Sequence, residues 1–223
     1  EIIAGETPMV FAALLCRSDG FKVFGCRRFG LRLVPDWPLT TRAELIAGLP
    51  PVRLVGGEKS DVRGDEAALI ACAWGRPSDS FGNLYEKFDG ARRAPRLPGA
   101  PYHFLTRVIE VNAPPGMQRA DVHAICEYDV PPGAWYLSER GGAMPLGVLI
   151  EVLLQPCGWL ASYLGFAAAR ERDVVFRNLD GERAIMHRPV MREVGKLRVT
   201  ARLTRFAQAG GSTIVFFAVA CED

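Results

Sequence analysis

In GGAMPLGVLIEVLLQPCGWLASYLGF, residues 141 to 166, a nearly unbroken apolar run carries one carboxylate, Glu151. Gln155 follows four residues later and Pro145 stands six before, so acid and amide share one face of a helix that starts at Met144-Pro145. A carboxyl in such surroundings either exchanges a proton with a reacting group or is hydrogen-bonded as part of the core. Gln155 likewise reads as a ligand-facing amide or as a polar helix anchor. The other chemically able groups are scattered. His103 stands at the start of one expected strand, and His123 and His187 lie inside two others, where structural or surface roles are ordinary. The six cysteines (Cys16, Cys26, Cys72, Cys126, Cys157, Cys221) form no close pair and no cluster with histidine, which fits reduced core thiols and proposes no metal. Cys157, Trp135 and Trp159 read as packing.

A helix this apolar must be covered on nearly every side, and the flanking sequence supplies a sheet to cover it. FLTRVIEV and ADVHAICEYDV precede it as expected strands; VVFRNLDG, ERAIMHRPV, GKLRVTARLTRFA and STIVFFAVACE follow, with Gly210-Gly211 at the last tight turn. In GKLRVTARLTRF the alternation puts Leu197, Val199, Ala201 and Leu203 on one face and Lys196, Arg198, Thr200 and Arg202 on the other, as in a half-buried strand facing the helix. Pro156 inside the helix removes one backbone bond, at a cost of about 3 kcal/mol unless compensated, and predicts a bend near Gln155.

Upstream the texture differs. Residues 1–34 predict a β-ribbon whose two long runs meet at Asp19-Gly20, a pair suited to a turn with positive φ. Residues 35–101 read as a connector with short helices, TRAELIAGL and GDEAALIACAWG among them. Residues 102–223 hold the sheet and the helix, so the expected fold class is α+β with an antiparallel sheet wrapped around a long central helix. Charge is balanced, with 27 Lys and Arg against 25 Asp and Glu, and this gives no encouragement to nucleic acid or a membrane surface as partner. The apolar run is interrupted by Pro145, Glu151, Gln155 and Pro156, and no secretory signal pattern opens the sequence, so the cytoplasm is the expected location.

MPLGVLIEVLLQ resembles the central-helix motif of hot-dog-fold β-hydroxyacyl-ACP dehydratases, in which Met-Pro is followed by Asp or Glu and then Gln at these spacings. RLPGAPYHFLTRVIEV resembles that family's approach to its first strand. AWGRPSDSFGNLYEKFDGARRAPRLPG, CEYDVPPGAWY, LQPCGWLASYLG and FRNLDG are similar to the dehydratase regions of polyunsaturated-fatty-acid-synthase-type multienzymes and related iterative polyketide synthases. The likeness covers about residues 70 to 223. It implies a hydro-lyase that removes water from a 3-hydroxyacyl thioester on the phosphopantetheine arm of an acyl carrier protein, with no other cofactor. It also implies Glu151 as the acid for the leaving hydroxyl, and the backbone of Leu146 and Gly147 with Gln155 as the substrate-binding set, helix-start N–H groups receiving the thioester oxygen.

The family's histidine base falls at position 137, and here that residue is Leu137. The resemblance therefore implies half of a double hot dog, its histidine supplied by a second hot-dog domain in cis or by a homodimer partner, and residues 1–34 would be the tail of a preceding hot dog. The rival readings are a non-catalytic scaffold half and a hot-dog acyl thioesterase whose helix acid activates water.

Overall fold

The computed structural model describes residues 1–5, 8–32, 61–137 and 140–223. The expected helix in TRAELIAGL lies outside the described residues. The chain divides into two compact units, Glu1–Glu44 and Leu45–Asp223.

The first unit is an antiparallel sheet in the order β1 (Ile2–Ile3), β2 (Met9–Ser18), β3 (Phe21–Arg32). Asp19 and Gly20 both take positive φ, 50° and 82°, which is the geometry a two-residue hairpin turn needs to follow strand twist. Pairing of Ser18 with Phe21 fixes the register there.

The second unit is α+β, as expected. Its sheet runs β4 (Arg107–Val111), β5 (Val122–Asp129), β6 (Lys196–Ala209), β7 (Ser212–Glu222), in that order and all antiparallel. Gly210 and Gly211, at φ 54° and 75°, close the β6–β7 hairpin. On β6 the residues Leu197, Val199, Ala201 and Leu203 are buried while Lys196, Arg198 and Arg202 are exposed. That buried face packs on α3 (Leu146–Tyr163). The helix is long and apolar enough to cross a membrane by length and composition, but 61% of it is buried inside this unit, as a core helix is. It continues through Pro156 as one element. Trp159 lies fully buried within it, its ring 5.0 Å from Tyr163 and 5.9 Å from Phe81.

Residues 61–101, the described part of the expected connector, pack on the core of the second unit. Asp65 caps α1 (Glu66–Trp74) by accepting from Ala68 N at 3.0 Å, and α2 (Pro77–Phe81) leads into a 3₁₀ turn, Gly82–Phe88. Leu69, Phe81, Tyr85 and Phe88 join the same core as Val108, Trp159 and Leu203. Tyr85 secures this layer by donating to the Ser162 carbonyl at 2.7 Å.

Two expected strands are not strands. VVFRNLDG and ERAIMHRPV, residues 174 to 190, form no ladder, and residues 175 to 189 make no backbone–backbone hydrogen bond among the described residues. Their β-branched and apolar residues favour an extended chain, but a strand also needs a neighbour to bond, and none of the described strands fills that place.

Candidate functional site

Glu151 sits one turn into α3, and the start of that helix is built by Pro145. With φ −61° and ψ 143°, Pro145 occupies the cap position, and its carbonyl accepts from Val148 N at 3.0 Å and Leu149 N at 3.1 Å. Leu146 and Gly147 are the first helical residues, so their N–H groups have no carbonyl in a preceding turn. Both are exposed, and a Cβ added at Gly147 would meet nothing within 4 Å. Gly147, Glu151 and Gln155 recur every four residues, which places the open helix start about 6 Å along the axis from the acid and on its stripe.

The stripe lies at a border. Val148 and Val152 on one side are buried against the sheet, while Leu146 and Ile150 on the other are 53% and 39% exposed. Glu151 is half-buried between them, and among the described residues no Lys, Arg or His pairs with it. It accepts a hydrogen bond from Gln155, Nε2 to Oε2, at 3.5 Å.

Gln155 is almost wholly buried, and its amide is committed. Oε1 accepts from Phe104 N at 2.7 Å and Nε2 donates to the Tyr102 carbonyl at 2.6 Å. The Phe104 N–H can only donate, so the amide orientation is fixed and its N–H groups must face Tyr102 and Glu151. The residue expected to bind substrate thus spends its polar atoms tying α3 to the chain just before β4 and steadying the acid.

That chain carries an aromatic wall. Tyr102 meets Trp135 at 5.4 Å between ring centroids, Phe104 meets Tyr128 at 5.6 Å and Tyr136 at 5.9 Å, and the hydroxyls of Tyr128 and Tyr136 are 2.9 Å apart. Burial pushes the Tyr136 hydroxyl pKa up, against the opposing effect of its bond with Tyr128. Sequence reasoning missed this wall. One signal could have found half of it: Tyr128 continues the inward stripe of Val122, Ala124 and Cys126 on β5.

Leu137 ends a 3₁₀ turn, Trp135–Leu137, and is 2% exposed. It is a core side chain. His103 is buried, with Nδ1 3.0 Å from the Pro98 carbonyl, an acceptor that assigns the proton to Nδ1. His123 Nε2 lies 3.4 Å from Glu110 Oε1, and His187 is exposed in the segment after α3 that forms no ladder. Burial pushes the Cys72 thiol up to about 11 and the Cys157 thiol up to about 12, and raises Cys126 as well, which removes all three as ready nucleophiles. Among the described residues no group of three His, Cys, Asp or Glu could hold a metal ion.

A charged cluster lies on the face of the sheet turned away from α3. Glu127, 5% exposed, accepts from Arg107 at 2.7 Å, Lys196 at 2.9 Å and Arg198 at 3.0 Å. Burial alone would raise its carboxyl, but the hydrogen bonds from Lys196, Arg107 and Arg198 prevail and hold it down at about 2. An acid so firmly ionised has no proton to give at neutral pH.

No protein-family model matches the chain. A polyunsaturated fatty acid synthase component from Thraustochytrium sp. (strain ATCC 26185 / S-3) is 32% identical to it over 190 residues, which is 84% of this chain and 12% of that protein. The chain is thus related to one segment of a polyunsaturated fatty acid synthase polypeptide, and the matched segment spans 12% of that polypeptide's length.

Proposed function

We propose that this chain is one hot-dog half of a dehydratase module in a fatty-acid or polyketide synthase of the cytoplasm. Its substrate is a 3-hydroxyacyl thioester on the phosphopantetheine of an acyl carrier protein. A histidine of another hot dog, in cis or from a homodimer partner, takes the C2 proton. The C2–H electrons form the C2=C3 bond as the C3–O bond breaks, and Glu151 protonates the departing hydroxyl so that it leaves as water. The N–H groups of Leu146 and Gly147 meet the negative charge gathering on the thioester oxygen. Gln155 holds Glu151 Oε2 as an acceptor. A carboxyl proton then belongs on Oε1.

The observation that carries this reading is a half-buried carboxyl with no cationic partner among the described residues, one turn from an open helix start and on the same stripe. In the complete module Glu151→Gln should preserve folding and lower elimination by about 10²-fold to 10⁴-fold. Unchanged turnover would leave Glu151 a structural carboxyl. The isolated chain should eliminate little, because Leu137 cannot act as a base. The burial of Leu137 also favours a second reading, a scaffold half that has kept the acid and lost the chemistry, and the same substitution separates the two.

A further inference from the structure

Four carbonyl groups in the chain leading to β4 each accept a hydrogen bond. Pro98 takes the His103 Nδ1–H at 3.0 Å, Gly99 takes the Tyr102 N–H at 3.0 Å, Pro101 takes the Trp135 indole N–H at 3.2 Å, and Tyr102 takes Gln155 Nε2 at 2.6 Å. The first two bonds are internal to the segment and move with it. The last two come from other elements of the unit and act on adjacent peptide groups.

The Pro101–Tyr102 peptide is planar, so holding both of its polar ends sets the plane. Its N–H goes to Gly99 and its C=O to Trp135. The Tyr102 ring also meets the Trp135 ring edge-on, 5.4 Å between centroids, so Trp135 braces the side chain and the main chain at one point. The Tyr102 carbonyl is the next group along, and the Gln155 nitrogen that donates to it also reaches Glu151 Oε2 at 3.5 Å. With Gln155 Oε1 taken by Phe104 N at 2.7 Å, the amide is clamped across residues 102 to 104.

The brace has its own footing. Trp135 opens the 3₁₀ turn whose last residue, Leu137, is buried in the core and donates its N–H to the Ala134 carbonyl at 2.9 Å. The Trp135 ring lies 5.5 Å from that of Tyr136. Leu137 has no proton to trade, but it seats the turn that presents the indole.

We infer that Trp135 is a positioning residue for Glu151, acting through the Pro101–Tyr102 peptide and the Gln155 amide. Its effect on turnover rests on the catalytic reading of Glu151; its hold on Gln155 does not. Trp135 is 43% exposed, so water replaces its bond once the N–H is gone and the fold loses little. A catalytic group displaced by about 1 Å, by contrast, loses about 100-fold in rate.

Trp135→Phe keeps an aromatic ring beside Tyr102 and removes the N–H. In the complete module it should lower kcat by about 10-fold, with KM changed by less than about 2-fold and Tm by less than about 3 °C. In the Glu151→Gln background the same change should lower kcat by less than about 2-fold, because a brace for the acid has nothing left to position. In the unaltered chain against its Trp135→Phe variant, NMR should show the Gln155 side-chain amide protons exchanging about 10-fold faster in the variant, with backbone exchange in β5 and β6 unchanged. If Trp135→Phe does not fold, benzothienylalanine at position 135, which puts sulfur in place of the N–H at the same ring size, replaces it in all three measurements. An equal fall in kcat with and without Glu151, or Gln155 exchange left unchanged, would overturn the role. If Glu151→Gln alone leaves turnover intact, the dehydratase reading fails, and Gln155 exchange still decides whether Trp135 holds the amide.

Discussion

The two β-sheets among the described residues are both antiparallel and end in opposite conditions. β2 and β3, like β6 and β7, pair antiparallel about a two-residue turn, with register shifts at Ala12/Leu14 and Cys16/Arg17 in the first hairpin and at Leu203/Arg205 in the second. Yet adjacent residues Leu14 and Leu15 are 38% and 52% exposed, and because neighbours in a strand face opposite sides, no described residue of its own unit covers either face of the ribbon there. In the second unit the row Val108, Cys126, Val199 is buried under α3, while one residue along, Arg107, Glu127 and Arg198 form an ionic row on the other face. Hairpin formation is a local matter of turn and alternation. Burial needs a second layer, and among the described residues a helix supplies it to one sheet only.

The largest effect should come from the covered sheet. Leu203 is fully buried, pairs with Val122 and Phe217, and belongs to the core. Leu203→Ala should cost about 3 kcal/mol and lower Tm by about 10 °C, measured by thermal and denaturant unfolding of the full chain. A cost under about 1 kcal/mol would mean that α3 is not firmly seated on β6.

What was legible in the sequence follows the same division. The β2–β3 turn, the outward and inward faces of β6, the Gly210-Gly211 hairpin and the helix start at Pro145 each depend on residues within a few positions of one another, and each appears where periodicity puts it. The features that were not legible depend on distant partners. Nothing near Tyr85 announces that its hydroxyl ends on Ser162, 77 residues away. Gln155 could be narrowed to a binder or an anchor, but its bonds to Tyr102 and Phe104 cross 53 and 51 residues. VVFRNLDG has the composition of a strand, and composition is silent on whether a neighbour is there to bond it. The resemblance singled out Glu151 and Leu137 as positions to look at, while the aromatic wall beside them is assembled only by the fold.

A smaller effect is expected from the ionic row. Folding lowers the Glu127 carboxyl from an ordinary 4.5 to about 2, so its contribution is fully present above about pH 5 and is lost as pH falls toward 2. Glu127→Gln leaves Arg107, Lys196 and Arg198 crowded around a neutral amide and should cost about 2 kcal/mol at pH 7. The gap between variant and parent should close as both are unfolded at progressively lower pH, nearly vanishing around pH 2. A gap constant from pH 7 to pH 2 would show that Glu127 acts by packing alone.

The smallest effect should come from the uncovered ribbon, and it sharpens the comparison most. Leu31 is 60% exposed and pairs with Val10, itself 43% exposed, so truncation removes little buried area. Leu31→Ala should change stability by no more than about 0.5 kcal/mol, with amide exchange across residues 9 to 32 unchanged. The ribbon is not wholly without packing: the Phe11 ring lies over Gly30, where an added Cβ would come within 2.9 Å of it, and Arg28 sits 4.1 Å from the centre of the same ring. Gly30→Ala would drive a methyl into that ring and should therefore speed exchange in β2 and β3, which Leu31→Ala should not. If Leu31→Ala instead cost more than about 1 kcal/mol, its face must be covered in solution, because an exposed leucine has no such contribution to lose. The ribbon would then be a sheet that already has its second layer, and the contrast with the α3-covered sheet would lie in where the layer comes from.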